Sequence, residues 1–424
     1  MSLISNFLHG IIRSGVLNIV YPDGRAESFG TQAPGWPEVT VRLLSRGATF
    51  RILRDPKLGI AEAYINGEVT VDDDRIIDLL ILYRRNTQWE KRGAIRKPSA
   101  ISRLTSAARA MLQQVNTPLK SKANVAHHYD LSNDFYRLWL DTDMQYSCAY
   151  WPDARPQEDG WPASKLSLEA AQLAKKAHIA GKLDLQPGQR VLDIGCGWGG
   201  MALYLNRVAN VDVLGVTLSE EQLKLARERA QAAGVSDRVK FELIDYRDLA
   251  RQQAGHFDRI VSVGMFEHVG APQFDNFFRC AANLMTDQGV MLLHTIGRMG
   301  GPGKTDAFTR KYIFPGGYIP ALSETIAASE PYRLIAADVE NLRMHYGLTL
   351  RHWHQRAQQQ RTRITAMYDE KFYRLWMFYL AGAMTAFESG VMCNYQIQYI
   401  RDRRALPMTR EYMSEREAHY LQMG

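Results

Sequence analysis

The stretch Val191-Leu192-Asp193-Ile194-Gly195-Cys196-Gly197-Trp198-Gly199-Gly200 decides the fold. It reads as an apolar strand, then a glycine-rich turn, then a helix starting near Met201. Glycine is needed where the backbone turns tightly and must approach a ligand. A GxGxxG pattern alone is weak evidence, since it also occurs in dinucleotide sites and by chance. Its surroundings strengthen it. From about residue 124 strands and helices alternate, which predicts an α/β fold with a parallel sheet and helices on both faces. The expected strands are Arg190–Ile194, Val211–Val216, Val239–Ile244, Arg259–Val263 and Gly289–His294. Ser219 with Gln222 forms a capping box for the helix after the second strand, and Gly234 is placed to end it. In such folds the strand ends share one edge, where ligands bind.

Three features separate this turn from a nicotinamide-dinucleotide site. Asp193 lies two residues before the first glycine, in the DxGxG form that resembles S-adenosylmethionine methyltransferases. The second strand ends in Gly215-Val216-Thr217, without the acid that would hold a dinucleotide ribose. The third ends in Asp245-Tyr246, suited to hold adenine with one hydrogen bond and one aromatic face. A buried helix-capping role for Asp193 is compatible with cofactor binding.

The chain has 424 residues, more than one core usually organises. Residues 1–90 alternate strand-like and turn-like pieces: Val16 to Tyr21, a turn at Pro22-Asp23-Gly24, Val39 to Leu44, and a helical pattern from Asp78 to Tyr83. They read as a small α/β unit with no evident catalytic group. Residues 91–123 read as a basic linker and 124–424 as the catalytic domain. Between Arg84 and Lys122 stand ten Lys/Arg and one acid, Glu90. That stretch carries +9 of a chain total of +7, so the remainder sums to −2. Such a segment suits an anionic membrane surface or a solvated linker. It lacks aromatic-interleaved motifs, so nucleic acid is not the expected partner. No apolar run reaches the ~18 residues of a membrane span. The longest, Leu375 to Phe387, is thirteen residues long. The N-terminus does not read as a signal peptide. Leu3, Ile4, Phe7, Leu8, Ile11 and Ile12 fall on one helical face, to be packed on the domain or laid in a membrane interface. Cys148, Cys196, Cys280 and Cys393 are far apart, with no CxxC pair. Neither a metal cluster nor a disulfide framework is expected, and a reducing cytoplasm fits.

Four further patches carry chemistry: Met144 to Trp151 (MQYSCAYW), Gly264 to Gly270 (GMFEHVG), Leu292 to Gly297 (LLHTIG) and Glu340 to Gly347 (ENLRMHYG). With the glycine turn they resemble the cyclopropane-fatty-acyl-phospholipid synthases and the related mycobacterial cyclopropane mycolic acid synthases. The resemblance runs from about Asn124 to beyond residue 400. It includes Lys311 to Pro320 (KYIFPGGYIP), similar to the family's segment near the acyl pocket. It implies a Rossmann-like class I S-adenosylmethionine methyltransferase domain acting on unsaturated phospholipid in a bilayer. The enzyme would work from the cytoplasm at the inner face of the membrane, as a homodimer, with the N-terminal domain aiding membrane contact or assembly. By the same resemblance bicarbonate would be held by Cys148, Glu267, His294, Tyr346 and the backbone at Ile296. The cofactor would meet Tyr146, Ser147, Asp193, Gly195, Gly197, Thr217, Gln222, Asp245 and Tyr246. No metal is implied.

The chemistry explains these residue types. An alkene has no acidic proton, so catalysis rests on positioning it in line with the sulfonium methyl. Transfer leaves a carbocation, and ring closure requires a base in a pocket closed to water. A small anion would need donors on its oxygens and an acceptor for its hydroxyl, and its charge would stabilise the cation. Each residue also has a plainer reading. Cys148 suits a buried small apolar site, Glu267 and His268 suit helix caps, and His294 and Tyr346 suit core packing. The aromatic run Phe372, Tyr373, Trp376, Phe378, Tyr379 and Phe387 lines either an acyl tunnel or an ordinary core. The rival outcomes are a methyl-branched lipid, a methylated amine, or lipid binding without catalysis.

Overall fold

The computed structural model describes residues 3–91, 131–157 and 160–424. Most of the basic segment, and the start of the resemblance at Asn124, lie outside the described residues.

The N-terminal unit is a four-stranded sheet of β1 (Val16–Val20), β2 (Ala26–Phe29), β3 (Glu38–Leu43) and β4 (Val69–Val71), in the order β2-β1-β3-β4. The period-2 pattern buries Leu17 and Ile19 from β1 and Val39, Val41 and Leu43 from β3. Gly24, at φ +83°, turns β1 into β2 as the sequence suggests. The expected helix at Asp78 to Tyr83 extends over Ile76–Asn86. Strands β2 and β4 and the helices Arg46–Arg54 and Pro56–Ile65 were not anticipated.

After a short hairpin of β5 (Arg155–Pro156) and β6 (Pro162–Ala163) comes a seven-stranded sheet. Its strands are β7 (Arg190–Ile194), β8 (Asp212–Thr217), β9 (Val239–Leu243), β10 (Phe257–Val263), β11 (Met285–Arg298), β12 (Ile335–Asn341) and β13 (Met392–Ile400). The order is β12-β13-β11-β10-β7-β8-β9. The five strands expected from sequence are present and pair in parallel. The expected parallel sheet is extended by two strands not anticipated from sequence, of which β13 runs antiparallel between β11 and β12. β12 is mostly exposed, and β13 alternates apolar residues with Asn394, Gln396 and Gln398. Neither reads as an apolar strand.

Side-chain alternation splits the sheet between two cores. Val191, Val261 and Leu292 face the helices Leu168–Leu183 and Gly200–Ala209. Leu192, Ile260, Met291 and Leu293 face the helix Phe274–Leu284 with Phe277 and Phe278. Each such buried side chain contributes about 1.5–3 kcal/mol. The register ends Ile194, Thr217, Val263 and His294 along one edge.

The N-terminal unit is not a separate bead. Its core runs on into that of the helix Glu370–Glu388, joining Leu17 and Val41 to Phe378 and Phe387. Polar clamps flank the seam. Glu62 takes Lys311 Nζ at 2.7 Å and Tyr312 Oη at 3.0 Å, and Arg361 pairs with Asp74 at 3.1 Å. At the centre Arg85 Nε meets Glu388 at 3.0 Å, with side chains only 7% and 5% exposed. Arg85 also donates to Gly35 O. Removing one member of a buried pair strands the other charge, at about 3–5 kcal/mol. Arg85→Ala is therefore expected to lower unfolding free energy by about that amount in urea titration. The Arg85→Met/Glu388→Leu double variant is expected to lose less; an equal or larger loss would show that the charges do not act as a pair.

Candidate active site

The glycine turn after β7 opens a crevice. Gly195 sits at φ +81°, and a Cβ there would meet the Met265 side chain at 2.8 Å. Gly197, at φ +54°, has no atom within 4 Å of where a Cβ would stand, leaving room for a ligand to lie against the backbone. The cavity beside it is about 160 Å³. All nine residues expected at the cofactor line it: Tyr146, Ser147, Asp193, Gly195, Gly197, Thr217, Gln222, Asp245 and Tyr246.

Their local chemistry differs. Asp193 is buried, and its Oδ2 has no hydrogen-bond partner. Burial pushes its carboxyl up to about 7. Thr217 Oγ1 donates to Gln222 Oε1 at 3.1 Å, and Ser219 Oγ caps the following helix at Gln222 N. Asp245 caps the helix Tyr246–Gln252 through Arg247 N at 2.9 Å, and also takes Arg247 Nε at 2.8 Å. Much of its acceptor capacity is thereby spent within the protein. The Tyr246 ring packs edge-on against Phe277 at 5.5 Å.

Sequence reasoning missed Lys175. It is wholly buried, and Nζ donates to Gln145 Oε1 at 2.6 Å and Ser147 Oγ at 2.8 Å. Burial presses its ammonium down to about 8. A lysine on a helix reads from sequence as a solvent-facing residue, so no local signal marks it.

A second cavity, about 700 Å³ and mainly apolar, lies against the first. Tyr146, Ser147, Gly264 and His268 line both and form their common wall. Burial holds the His268 imidazole neutral, down to about 4. All five expected catalytic positions, Cys148, Glu267, His294, Ile296 and Tyr346, line this second cavity. Glu267 sits in the 3₁₀ turn Phe266–His268 after β10. Its Oε1 accepts from Ile296 N at 2.5 Å, while Oε2 is buried without a partner. Burial raises Glu267 to about 7. The Cys148 thiol donates to Ala149 O at 3.3 Å, and burial pushes it above the ordinary thiol range. His294, near the end of β11, lies 2.9 Å from Asn394 Nδ2 at Nε2 and 3.1 Å from Gln396 Nε2 at Nδ1. Tyr346 opens the helix His345–Gln359 and packs on Trp353 and Phe387.

The aromatic run divides. Phe378, Tyr379 and Phe387 line the cavity, and Tyr379 Oη bonds Tyr146 Oη at 2.9 Å. Phe372 and Trp376 pack against Phe135 as core, and Tyr373 is buried away from the cavity. From the segment Lys311 to Pro320, Phe314, Gly317, Tyr318 and Ile319 line the cavity. The N-terminal unit supplies more wall than its sequence suggested, through Leu17, Ile19, Val41, Leu43, Ile52 and Ile60 among others. Among the described residues no group of His, Cys, Asp or Glu could hold a metal ion.

Comparison with known proteins shows the family and the fold. Residues 117–397 match the family model of mycolic acid cyclopropane synthetase. A probable fatty acid methyltransferase of Pseudomonas putida is 42% identical over 299 residues, 68% of this chain and 73% of that one. The cyclopropane-fatty-acyl-phospholipid synthase of Escherichia coli K12 is 37% identical over 351 residues, 83% of this chain and 85% of that one. The solved structure of mycolic acid cyclopropane synthase CmaA1 complexed with SAH and CTAB superposes with a TM-score of 0.59 at 33% identity. It covers 66% of this chain and 98% of that one. The fold and crevice thus define an S-adenosylmethionine-dependent methyltransferase of the Rossmann-like class. Within that class the chain belongs to the mycolic acid cyclopropane synthetase family.

Asp193 gives a test of the crevice. If its orphaned carboxylate takes the cofactor's ammonium group, binding stabilises the ionised form and expels a proton wherever the free carboxyl is protonated. Affinity for S-adenosylmethionine is expected to rise with pH through about 7. That is roughly tenfold weaker binding at pH 6 than at pH 8 by calorimetry, about 1.4 kcal/mol for one pH unit. Asp193→Asn is expected to bind weakly at both. A flat profile in the parent enzyme would remove Asp193 from the cofactor site.

Proposed function

We propose that this enzyme transfers a methylene from S-adenosylmethionine to the cis double bond of an unsaturated phospholipid acyl chain, closing a cyclopropane ring. The observation that carries the reading is the common wall between a glycine-lined crevice and a long apolar cavity. Bound in the crevice, S-adenosylmethionine would supply an electrophilic methyl group. The chain's own residues do the rest. The apolar walls hold the alkene against the opening and keep water from a cation formed on the acyl chain. The faces of Tyr146, Tyr346 and Tyr379 offer it π density.

A proton must then leave the new methyl group. The fit of bicarbonate rests on an orphaned acceptor, Glu267 Oε2, in a carboxylate whose other oxygen is held by Ile296 N–H. Bound there, bicarbonate would supply a small base and a negative charge. Glu267, steadied by Ile296 N–H, would accept its hydroxyl, and Tyr346, His294 and the Cys148 thiol would donate to its oxygens.

The substrate reading extends to an anionic membrane surface on the cytoplasmic side, with the enzyme peripheral and homodimeric. Support comes from the helix Arg46–Arg54. Phe50 is 69% exposed and Leu44, just before the helix, 57%. Arg46 and Arg54, one turn to either side of Phe50, are exposed, while Ile52 of the same helix lines the apolar cavity. Aromatic and basic groups together suit a bilayer interface. Among the described residues no helix is long and apolar enough to cross a membrane.

On vesicles of a cis-monounsaturated phospholipid, methyl-labelled S-adenosylmethionine is expected to label the released fatty acids. Glu267→Gln is expected to keep cofactor affinity and lose about 100-fold or more in turnover. Unchanged turnover would remove the proposed base site. Activity on anionic vesicles is expected to fall with salt, less steeply in Arg46→Glu/Arg54→Glu. A flat salt response in the parent enzyme would remove the electrostatic contact.

A further inference from the structure

Behind His294 a buried polar chain leads away from the cavity. Gln396 lies between His294 and Lys182, its Nε2 3.1 Å from His294 Nδ1 and its Oε1 2.8 Å from Lys182 Nζ. Lys182 also meets Glu340, which takes His178 Nε2 at 2.7 Å, and His178 Nδ1 meets Glu417 of the C-terminal helix at 2.7 Å. His294, Gln396, Lys182 and Asn394 are all buried. None of the three supporting residues was singled out from sequence.

The donor and acceptor logic of this chain has one solution. An ammonium group only donates. Gln396 must therefore turn its oxygen to Lys182 and its NH2 to His294. An NH2 group only donates, so His294 Nδ1 must accept, and the ring's proton sits on Nε2. Burial and the surrounding cations hold the ring neutral. Asn394 presents Nδ2 to Nε2 at 2.9 Å, while its Oδ1 is buried without a partner. Two donors cannot face each other, so the amide turns over about Cβ–Cγ and its oxygen accepts from Nε2–H. Both His294 and Asn394 line the reacting cavity.

We infer that Lys182, acting through Gln396, is a positioning residue that fixes the tautomer of His294 so that its one N–H lies at Nε2, against Asn394 in the cavity wall, where an anion in the cavity would compete with the amide for it. The consequence for turnover rests on the reading of that cavity as the reacting site; the tautomer does not. The charge is itself anchored. Burial alone would raise Glu340, yet its bonds from His178 and Lys182 hold it far below the ordinary carboxylate range. A carboxylate and an ammonium thus fix the amide, and the amide fixes the imidazole.

The test is 15N spectroscopy of the full chain with labelled histidine, His294 being assigned by difference from His294→Gln. The parent enzyme is expected to show a protonated Nε2 and an accepting Nδ1. Gln396→Glu keeps the shape but turns only acceptors toward the ring, so the proton is expected to move to Nδ1. Turnover should fall roughly 100-fold with KM for S-adenosylmethionine unchanged. Lys182→Met is expected to give a mixture of tautomers, and Lys182→Arg to restore the parent spectrum and most of the turnover. Nδ1–H in the parent enzyme would overturn the inference whether or not the variants fold, and so would an unmoved proton in folded Gln396→Glu. A moved proton with full turnover would overturn the positioning role. A parent enzyme with the expected tautomer but no cyclopropane product would instead overturn the proposed reaction.

Discussion

Two environments of opposite character must meet within reach of one methyl group. The crevice after β7 is glycine-lined and polar; the cavity beyond is apolar and long. Among the described residues, only Tyr146, Ser147, Gly264 and His268 are common to both. The sheet makes this contact possible. Parallel strands deliver Ile194, Thr217, Val263 and His294 to one edge, so the glycine turn proposed to receive the cofactor and the turn that carries Glu267 are neighbours. The apolar side is completed from elsewhere, by the helix Glu370–Glu388 and by the N-terminal sheet that shares its core. In the proposed reaction that enclosure matters as much as any single residue, because water admitted to the cation would divert the product.

Burial sets the chemistry of the wall. Asp193 and Glu267 each keep one carboxylate oxygen without a partner in a dry setting. Such groups cost stability and cluster where a ligand later satisfies them. Both are raised to about 7, where a bound partner can decide the protonation state. Around them other groups are fully committed. Lys175 ties down Ser147 and Gln145, Tyr379 ties down Tyr146, and Lys182 ties down Gln396. Asp193 and Glu267 stand out against these satisfied neighbours as carboxylates that line a cavity with an oxygen still open.

The glycine turn was legible in sequence because few residues other than glycine fit its backbone and its open face. Four of the five parallel strands were legible because they are largely buried on both faces and read as apolar runs, and the edge strand β9 because Val239 and Phe241 alternate with exposed Lys240 and Glu242. The site positions came from the family resemblance of the separated motifs, and all fourteen line one of the two cavities. The remainder was hidden for physical reasons. β13 carries Asn394, Gln396 and Gln398 inside the protein, and a polar comb reads as solvent-facing. Lys175 and Lys182 look like surface lysines until their acceptors are seen. Leu17, Ile19, Val41 and Leu43 were readable as buried, but periodicity does not distinguish a core from a cavity wall. The aromatic run at 372–387 was ambiguous for the same reason, and it serves as both.

The most direct measurement is mass analysis of fatty acids released from cis-monounsaturated phospholipid vesicles after incubation with enzyme and S-adenosylmethionine, before and after catalytic hydrogenation. The account predicts a product heavier by one CH2 that takes up no hydrogen. A methyl-branched, unsaturated or hydroxylated product would contradict it, showing that the cation leaves the cavity by another route than ring closure.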